Sequence, residues 1–444
     1  MDLMNKELLV LTKDIGSKPV VTFRQDSKLA AAIDKLFCGD QHGNVNEFVK
    51  GQLKLPDRKL EFSEVQQLLK QSSKEFPEKS SDVSLKRNEA RKSLIRKIEV
   101  ILNDVNKSAE AGEIPKMVIR NQRLWSNCIY DLDRVTLKSF NDAKKSTLIY
   151  SSKEDKTRFN IIIFVLTKVH ELLLKNLIVT RRELFYQNVM RFRNQTNLDI
   201  AVRDVCCLLE TPPWSLGIVA TAKGLIAGPL TMCNRDGTIV DCTTLGGTLI
   251  PQDVEGIKEF KSSAKYILVL EKDAIFQKLL DEGALVRLGP VIIITGKGYP
   301  DVCTRQLLCR LCNELHLKAL ALVDADPHGY EIFLTYKYGS LAQSHLSSSL
   351  ACTSLMLLGA CIQDVMTLAS NEARLKLTDL DRRKLTALIK RPYLETNTGS
   401  RLKQELSTML SSGVKAEIEA LAPTAAALCD AYLPSKIIQG DYLG

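Results

Sequence analysis

The stretch Val323-Asp324-Ala325-Asp326-Pro327-His328-Gly329 ends an apolar run, 317–323, with two carboxylates at alternate positions. In an extended chain, residues i and i+2 point to the same side, so Asp324 and Asp326 are expected to project into one small volume. Two like charges about 4 Å apart repel each other by about 4 kcal/mol at the effective dielectric of a protein surface. The arrangement therefore favours a cation bound between the two carboxylates.

A second apolar strand, predicted at 265–270, also ends on a carboxylate, Glu271. In an open α/β sheet, ligands bind at the carboxyl ends of parallel strands, so Glu271, Asp324 and Asp326 are predicted to converge on one hard divalent ion. No histidine or cysteine adjoins Glu271, which favours Mg²⁺ over zinc. For any one of these acids, a helix N-cap or an exposed carboxylate is the alternative interpretation.

The composition is that of a globular protein. A chain of 444 residues with 45% hydrophobic content can form two or three domains, and disorder throughout is excluded. The net charge of +9 suits an anionic partner but does not by itself identify one. The first residues lack the apolar run of a secretory signal, so an intracellular protein is expected. The longest uncharged stretch, 340–363, has too few apolar residues to span a membrane and is predicted to be a buried helix.

Two motifs resemble ligand sites but do not meet their requirements. Cys309, Cys312 and His316 share a predicted helix face, yet no second cysteine pair follows at zinc-site spacing, so core packing is favoured. The twelve cysteines are accordingly expected to be free thiols. The loop Thr295-Gly296-Lys297-Gly298 lacks the remaining residues of the nucleotide-binding motifs, so it predicts a tight turn and no ATP site.

The first half of the chain is predicted to be mostly helical. Residues 1 to about 90 are polar and mixed in charge, which indicates partial helix and partial disorder. Apolar residues at helical spacing then predict three helices, at Lys92 to Val105, Thr157 to Lys175 and Leu198 to Glu210. A strand is predicted around 216–220, and Asn234-Arg235-Asp236-Gly237 predicts the turn of a hairpin. Helices followed by a hairpin predict a winged helix-turn-helix, which commonly binds duplex DNA.

The second half has an α/β pattern. Apolar strands alternate with helices from Ala264 onward, which predicts right-handed crossovers and a parallel sheet. The predicted strands are 266–270, 291–295 and 317–323, and the predicted helices are 272–281, 305–315, one from 330 onward and 379–390.

A short capped helix carries a second pair of candidate residues. Thr180 and Glu183 form a capping box, after which Arg182 and Tyr186 lie four apart on one helix face. A guanidinium beside a phenol can stabilise a phenolate or bind a phosphate, so the pair suits nucleophilic attack on a phosphodiester. From the pattern alone, an exposed arginine beside a packed tyrosine is the commoner interpretation. Arg191 and Arg193 add phosphate-binding potential on the following turn.

Several motifs occur together in an order that is typical of one family. The motifs are 180–186, Lys223-Gly224-Leu225-Ile226-Ala227-Gly228, Glu271-Lys272-Asp273, 295–298 with Pro300-Asp301, 323–329, Tyr336-Lys337-Tyr338-Gly339-Ser340 and Tyr432-Leu433-Pro434-Ser435-Lys436. With these motifs, the sequence from about Lys92 onward resembles the A subunit of type IIB topoisomerases (topoisomerase VI), and more closely its eukaryotic meiotic double-strand-break branch. Where that family usually shows Trp-Leu-Gly, this chain has Leu357-Leu358-Gly359.

The resemblance implies a domain order and a reaction. A divergent region, 1–90, would precede a winged-helix cleavage domain, 91–260, and a Toprim metal-binding domain, 261–444. Tyr186, assisted by Arg182, would attack DNA and stay joined to each 5′ end through a phosphotyrosine. The residues implied to hold Mg²⁺ are Glu271, Asp324 and Asp326.

The resemblance also implies partners and a location. Double-stranded DNA would be cut by two copies of the chain, with the tyrosine of one protomer working at the metal site of the other. Other meiotic break factors and an ATP-binding topoisomerase VI B-like subunit would assist in the nucleus, and no membrane is expected. Two other functions stay open, namely a catalytically inactive DNA-binding scaffold and a Toprim nuclease that uses water as its nucleophile.

Overall fold

The computed structural model describes residues 82–444 except 123, 131–133, 245 and 423. The sequence predicts partial helix and partial disorder for residues 1 to about 90, and residues 1–81 of this region lie outside the described residues. The first described helix begins at Asp82. Within this described range, no helix is both long and apolar enough to cross a bilayer.

Fifteen α-helices and seventeen strands are found in the described residues. The helices are α1 (Asp82–Glu110), α2 (Lys153–Lys175), α3 (Arg181–Gln187), α4 (Val189–Phe192), α5 (Gln195–Leu209), α6 (Asp273–Asp281), α7 (Ala284–Arg287), α8 (Val302–Glu314), α9 (Pro327–Lys337), α10 (Ser347–Leu350), α11 (Ile362–Leu368), α12 (Asp379–Ile389), α13 (Ser400–Ser412), α14 (Ala425–Ala427) and α15 (Leu433–Gln439). The strands are β1 (Lys116–Arg120), β2 (Cys128–Ile129), β3 (Thr136–Leu137), β4 (Lys145–Ile149), β5 (Val179–Thr180), β6 (Ile218–Val219), β7 (Leu225–Ala227), β8 (Leu230–Asn234), β9 (Ile239–Asp241), β10 (Thr248–Leu249), β11 (Ile257–Ser262), β12 (Tyr266–Leu270), β13 (Val291–Thr295), β14 (Lys318–Leu322), β15 (Leu355–Gly359), β16 (Leu375–Lys376) and β17 (Val414–Lys415).

The helices of the first half share one hydrophobic core. The Ser152 side chain caps α2 by accepting a hydrogen bond from Asp155 N, and the apolar stripe of α2 packs against α1 and α5. Leu184 of α3 and Ile218 of β6 are buried in the same core. The predicted helices at 157–175 and 198–210 are therefore confirmed, with starts a few residues earlier, where the capping side chains lie.

A six-stranded sheet organises the second half. Its strand order is β10-β7-β13-β12-β14-β15, in which β13, β12, β14 and β15 are parallel. Leu270 at the end of β12 pairs with Thr295 of β13 and with Leu322 of β14, so the carboxyl ends of the three strands are level. The predicted parallel sheet is confirmed. This alignment brings the residues that follow the strands to one edge.

The predicted hairpin is also confirmed, with its turn between β8 and β9. However, β8 also pairs with β11, and Leu230, Met232 and Ile257 are buried in the core of the six-stranded sheet rather than in the helical core. Residues on both sides of position 260 thus contribute to one hydrophobic core. The domain boundary at 260/261 stays a prediction.

The prediction of a buried helix over 340–363 is wrong. This segment contains the 3₁₀-helix Leu341–Leu346, then α10, the strand β15 and the first residues of α11. β15 pairs with β14. A strand covered on both faces reads as a continuous apolar run, and such a run has no periodicity that distinguishes it from a buried helix.

Candidate active site

Two carboxylates meet at the carboxyl edge of the parallel sheet. Glu271 follows β12 and Asp324 lies just beyond β14, the neighbouring strand. The backbone N–H of Asp324 donates a hydrogen bond of 2.8 Å to Oε2 of Glu271. Both residues are buried, at 9% and 7% exposure. A Cβ at Gly329 would lie 2.9 Å from Glu271 Oε2, so the glycine gives this carboxylate the space it needs.

Glu271 and Asp324 lie in surroundings that disfavour their charged forms. Burial, reinforced by the Asp324 charge, raises the pKa of Glu271 to about 7. Burial likewise raises the pKa of Asp324 to about 6, against the hydrogen bond from Ile418 N–H and the Lys272 charge, which lower it. Two buried oxygen ligands with this excess of negative charge fit a hard divalent cation.

Asp326 is placed differently from the other two acids. Its Oδ1 caps α9 by accepting hydrogen bonds from His328 N at 2.9 Å and from Gly329 N at 2.7 Å. Its charge still reaches the other two carboxylates, because it raises the pKa of both Glu271 and Asp324. In the described part of the chain, no three His, Cys, Asp or Glu side chains are arranged closely enough to hold a metal ion. The structure thus joins Glu271 with Asp324 and leaves Asp326 beside them as a helix cap.

The turn after β13 supports the position of Glu271. Gly298 N donates a hydrogen bond of 2.8 Å to the carbonyl of Glu271. Lys297 has a φ of 53° and its ammonium lies 3.0 Å from Asp273. This loop is the predicted tight turn between a strand and a helix, and its contacts hold the backbone of the candidate site.

A lysine and a distant loop, neither identified from the sequence, complete the surroundings of Asp324. The Lys272 ammonium lies 3.1 Å from Oδ2 of Asp324, and it also contacts Glu417 and Glu419. The backbone N–H of Ile418 donates a hydrogen bond of 2.9 Å to the other Asp324 oxygen. No motif spacing connects residue 272 with residue 417, so only the folded chain reveals this group.

Tyr186 lies on the short helix α3, well exposed to solvent. The predicted capping box of Thr180 and Glu183 is present at the start of α3, and Leu184 anchors the helix in the core. Tyr186 is 71% exposed, although a buried tyrosine was the commoner interpretation of the pattern, and Arg182 is exposed as well. Arg191 stacks on the Phe164 ring at 4.4 Å.

The tyrosine and the acids belong to separate parts of the chain. Among the described residues, no hydrogen bond, ion pair or ring contact joins Tyr186 to Glu271, Asp324 or Asp326; its one ring contact is with Phe185.

Two family descriptions match these two parts. Residues 157–218 match the family described as type IIB DNA topoisomerase, and residues 266–437 match the Toprim domain of the topoisomerase 6 A-subunit/Spo11 proteins. The first segment contains α3 with Tyr186, and the second contains the sheet edge with Glu271 and Asp324. Together they define a type IIB topoisomerase-like enzyme with a Toprim domain.

Similar proteins cover most of the chain. The meiotic recombination protein SPO11 of Mus musculus is 36% identical over 78% of this chain and 87% of its own length. The DNA topoisomerase 6 A-subunit of Arabidopsis thaliana is 34% identical over 79% of this chain and 82% of its own length. The meiotic recombination protein W68 of Drosophila melanogaster is 36% identical over 66% of this chain and 87% of its own length. The chain belongs to the topoisomerase 6 A-subunit/Spo11 family.

The raised carboxyl pKa values predict pH-dependent metal binding. If Glu271 and Asp324 hold a metal ion, protons compete with it for these two carboxylates, and lowering the pH from 8 to 6 should weaken Mn²⁺ binding by about tenfold or more. Calorimetry or electron paramagnetic resonance of the protein without DNA measures this affinity. A constant affinity over this range would place the bound metal at groups other than these two.

Proposed function

We propose that this chain is the DNA-cleaving subunit that makes the double-strand breaks initiating meiotic recombination, and that it acts on duplex DNA in the nucleus. One observation carries the proposal, namely that the chain combines two groups of residues. Tyr186 is exposed on the same short helix as Arg182 in the type IIB topoisomerase segment, and Glu271 is buried beside Asp324 in the Toprim segment. The names of the relatives support the meiotic role.

The reaction is a transesterification. The phenolic oxygen of Tyr186 attacks a DNA phosphorus and forms an O–P bond while the P–O3′ bond breaks. The phenol loses its proton, and the 3′ oxygen leaves as a hydroxyl after gaining one. The number of phosphoester bonds is unchanged, and the protein stays on the 5′ end. A free tyrosine has a pKa of about 10, so Arg182 is assigned to stabilise the phenolate and to hold the phosphate.

The buried acids are assigned to hold Mg²⁺. Glu271 and Asp324 would be its ligands, with Asp326 contributing from its position at the start of α9. When bound, Mg²⁺ neutralises charge on the phosphate and on the departing 3′ oxygen. These residues keep two oxygen ligands close together at the carboxyl end of the parallel strands.

The helical part is assigned to DNA binding. We infer a winged helix-turn-helix within 91–260, supported by the common core of α2, α3 and α5 and by the exposed position of Arg182 and Tyr186 on this core. The Toprim assignment for 261–444 completes the proposed domain order.

We infer an active site shared between two protomers, which is supported by the lack of any contact between Tyr186 and the acids among the described residues. In this arrangement, Tyr186 of one chain cleaves at the Glu271 and Asp324 site of a second chain. The step that brings the two chains together on DNA is assigned to an ATP-binding topoisomerase VI B-like partner, since the name of the Arabidopsis thaliana relative describes one subunit of a larger enzyme.

A mixture of two inactive variants tests this sharing. Tyr186→Phe chains mixed with Glu271→Gln chains should form dimers with one intact composite site, and these dimers should nick single strands. Each variant alone should leave DNA intact. Nicking is measured on supercoiled plasmid with the ATP-binding partner present. Verified mixed dimers that bind DNA but never nick it would show that the tyrosine and acids act within one chain.

A denaturing trap separates the proposed reaction from its alternatives. DNA incubated with the protein and its partners is denatured, and the ends are analysed. Protein retained on 5′ ends supports transesterification. Free ends would indicate a water-dependent nuclease, and intact DNA that was tightly bound would indicate a scaffold; either result would refute the proposal.

A further inference from the structure

Lys272 provides a positive charge inside the acidic group at the sheet edge. Its ammonium lies 3.1 Å from Oδ2 of Asp324, 3.2 Å from Glu417 and 3.0 Å from Glu419. Three carboxylates around one ammonium leave a local excess of negative charge even before Glu271 is counted. The Lys272 and Asp324 side chains are 25% and 10% exposed, so water screens this pair less than it would at an open surface, whereas Glu417 and Glu419 are more open to water.

The segment that carries the two glutamates is hydrogen-bonded to the residues just after β14. The glutamates flank the first residue of the 3₁₀-helix Ile418–Ala420, whose Ile418 N–H binds Asp324. Just before it, Ala416 N donates a hydrogen bond of 3.1 Å to the Ala325 carbonyl. These contacts hold the backbone that carries Glu417 and Glu419 next to Asp324 without the help of the lysine.

We propose that Lys272 is a built-in counter-cation for the metal site. It neutralises Asp324 when no metal is bound, and it remains with Glu417 and Glu419 when Mg²⁺ takes the Asp324 oxygen. Lys272 thereby sets the affinity of the site for the metal. This inference rests on the proposed metal site and assigns Lys272 a positioning role, with no contact to DNA.

The physical basis is competition for one oxygen atom. An ammonium at 3.1 Å occupies the Asp324 oxygen that a divalent cation would need, and its charge also repels that cation. The two glutamates reduce this competition because they give the ammonium other partners. Removing the lysine charge removes the competitor and leaves more negative charge around the metal.

Lys272→Met should therefore bind Mn²⁺ about tenfold more tightly than the unchanged chain, because a repelling unit charge a few ångströms away is lost. The full-length protein without DNA is titrated with Mn²⁺ and followed by electron paramagnetic resonance or calorimetry. Lys272→Arg keeps the charge and is the matched control, with an affinity expected close to that of the unchanged chain. An equal or weaker affinity of a folded Lys272→Met protein would overturn the proposal.

A second set of variants covers the case in which Lys272→Met does not fold. The double change Glu417→Gln and Glu419→Gln leaves Lys272 with Asp324 alone, so Mn²⁺ binding should weaken severalfold. In a Lys272→Gln chain, the same double change should have a smaller effect. Equal effects in both backgrounds would show that the glutamates attract the metal directly and that Lys272 plays no part.

One further variant separates this inference from the metal site itself. Asp324→Asn should abolish Mn²⁺ binding whether or not Lys272 is present. If Asp324→Asn still binds Mn²⁺ as the unchanged chain does, the proposed metal site fails. If it loses binding while Lys272→Met changes nothing, only the counter-cation role fails.

Discussion

Tyr186→Phe is expected to abolish DNA breakage, with a loss of at least about a thousandfold, because the substitution removes the only oxygen assigned to attack the phosphodiester. The exposed ring and its edge contact with Phe185 are retained, so the fold and the affinity for DNA should change little. Cleavage of plasmid DNA and binding of a duplex oligonucleotide are measured on the same preparation.

Tyr150→Phe is the matched control for this experiment. It removes a phenolic oxygen from the same half of the chain, where the hydroxyl accepts only a long hydrogen bond, of 3.4 Å, from Asn160. Cleavage by this variant should stay near that of the unchanged chain. Breaks made by Tyr186→Phe at the unchanged rate would remove Tyr186 from the mechanism.

Asp324→Asn and Glu271→Gln should each lower Mg²⁺-dependent cleavage by more than about a hundredfold. Even changes around the direct ligands of metal sites cost about 10- to 100-fold, and each of these substitutions removes an assigned ligand charge. Cleavage is measured against Mg²⁺ concentration, and Mn²⁺ binding is measured separately. Asp326→Asn should have a smaller effect, because one oxygen of Asp326 serves mainly to cap α9.

Asp281→Asn is the control for these charge changes. Asp281 is an exposed acid at the end of α6, so its loss changes the net charge without changing the sheet edge. An unchanged Mg²⁺ dependence in both Asp324→Asn and Glu271→Gln would show that the metal binds at other residues of the protein.

The grouping of acids at the sheet edge could be predicted because each acid is close in sequence to the strand that positions it. β12 and β14 are short strands that are each followed within two residues by an acid, and parallel strands with level ends bring such acids together. The meeting of Glu271 and Asp324 follows from this geometry. The sequence predicted Asp326 as a third ligand, with a helix cap as the alternative, and in the structure one oxygen of Asp326 caps α9.

Contacts between residues far apart in the chain could not be predicted from the sequence in the same way. Lys272 meets Glu417 and Glu419 only because the loop after β17 returns to the end of β14, and nothing in the local pattern encodes this return. The wrong helix at 340–363 has a related cause, since the burial of β15 on both faces depends on its neighbours in space.

The covalent link itself provides the most direct test of the central claim. DNA-linked protein is recovered after cleavage, digested with a protease and a nuclease, and analysed by mass spectrometry. A nucleotide attached through its 5′ phosphate to the peptide containing Tyr186 is the predicted result. Attachment to another residue, attachment through a 3′ phosphate, or cleaved DNA without any attached peptide would contradict the account.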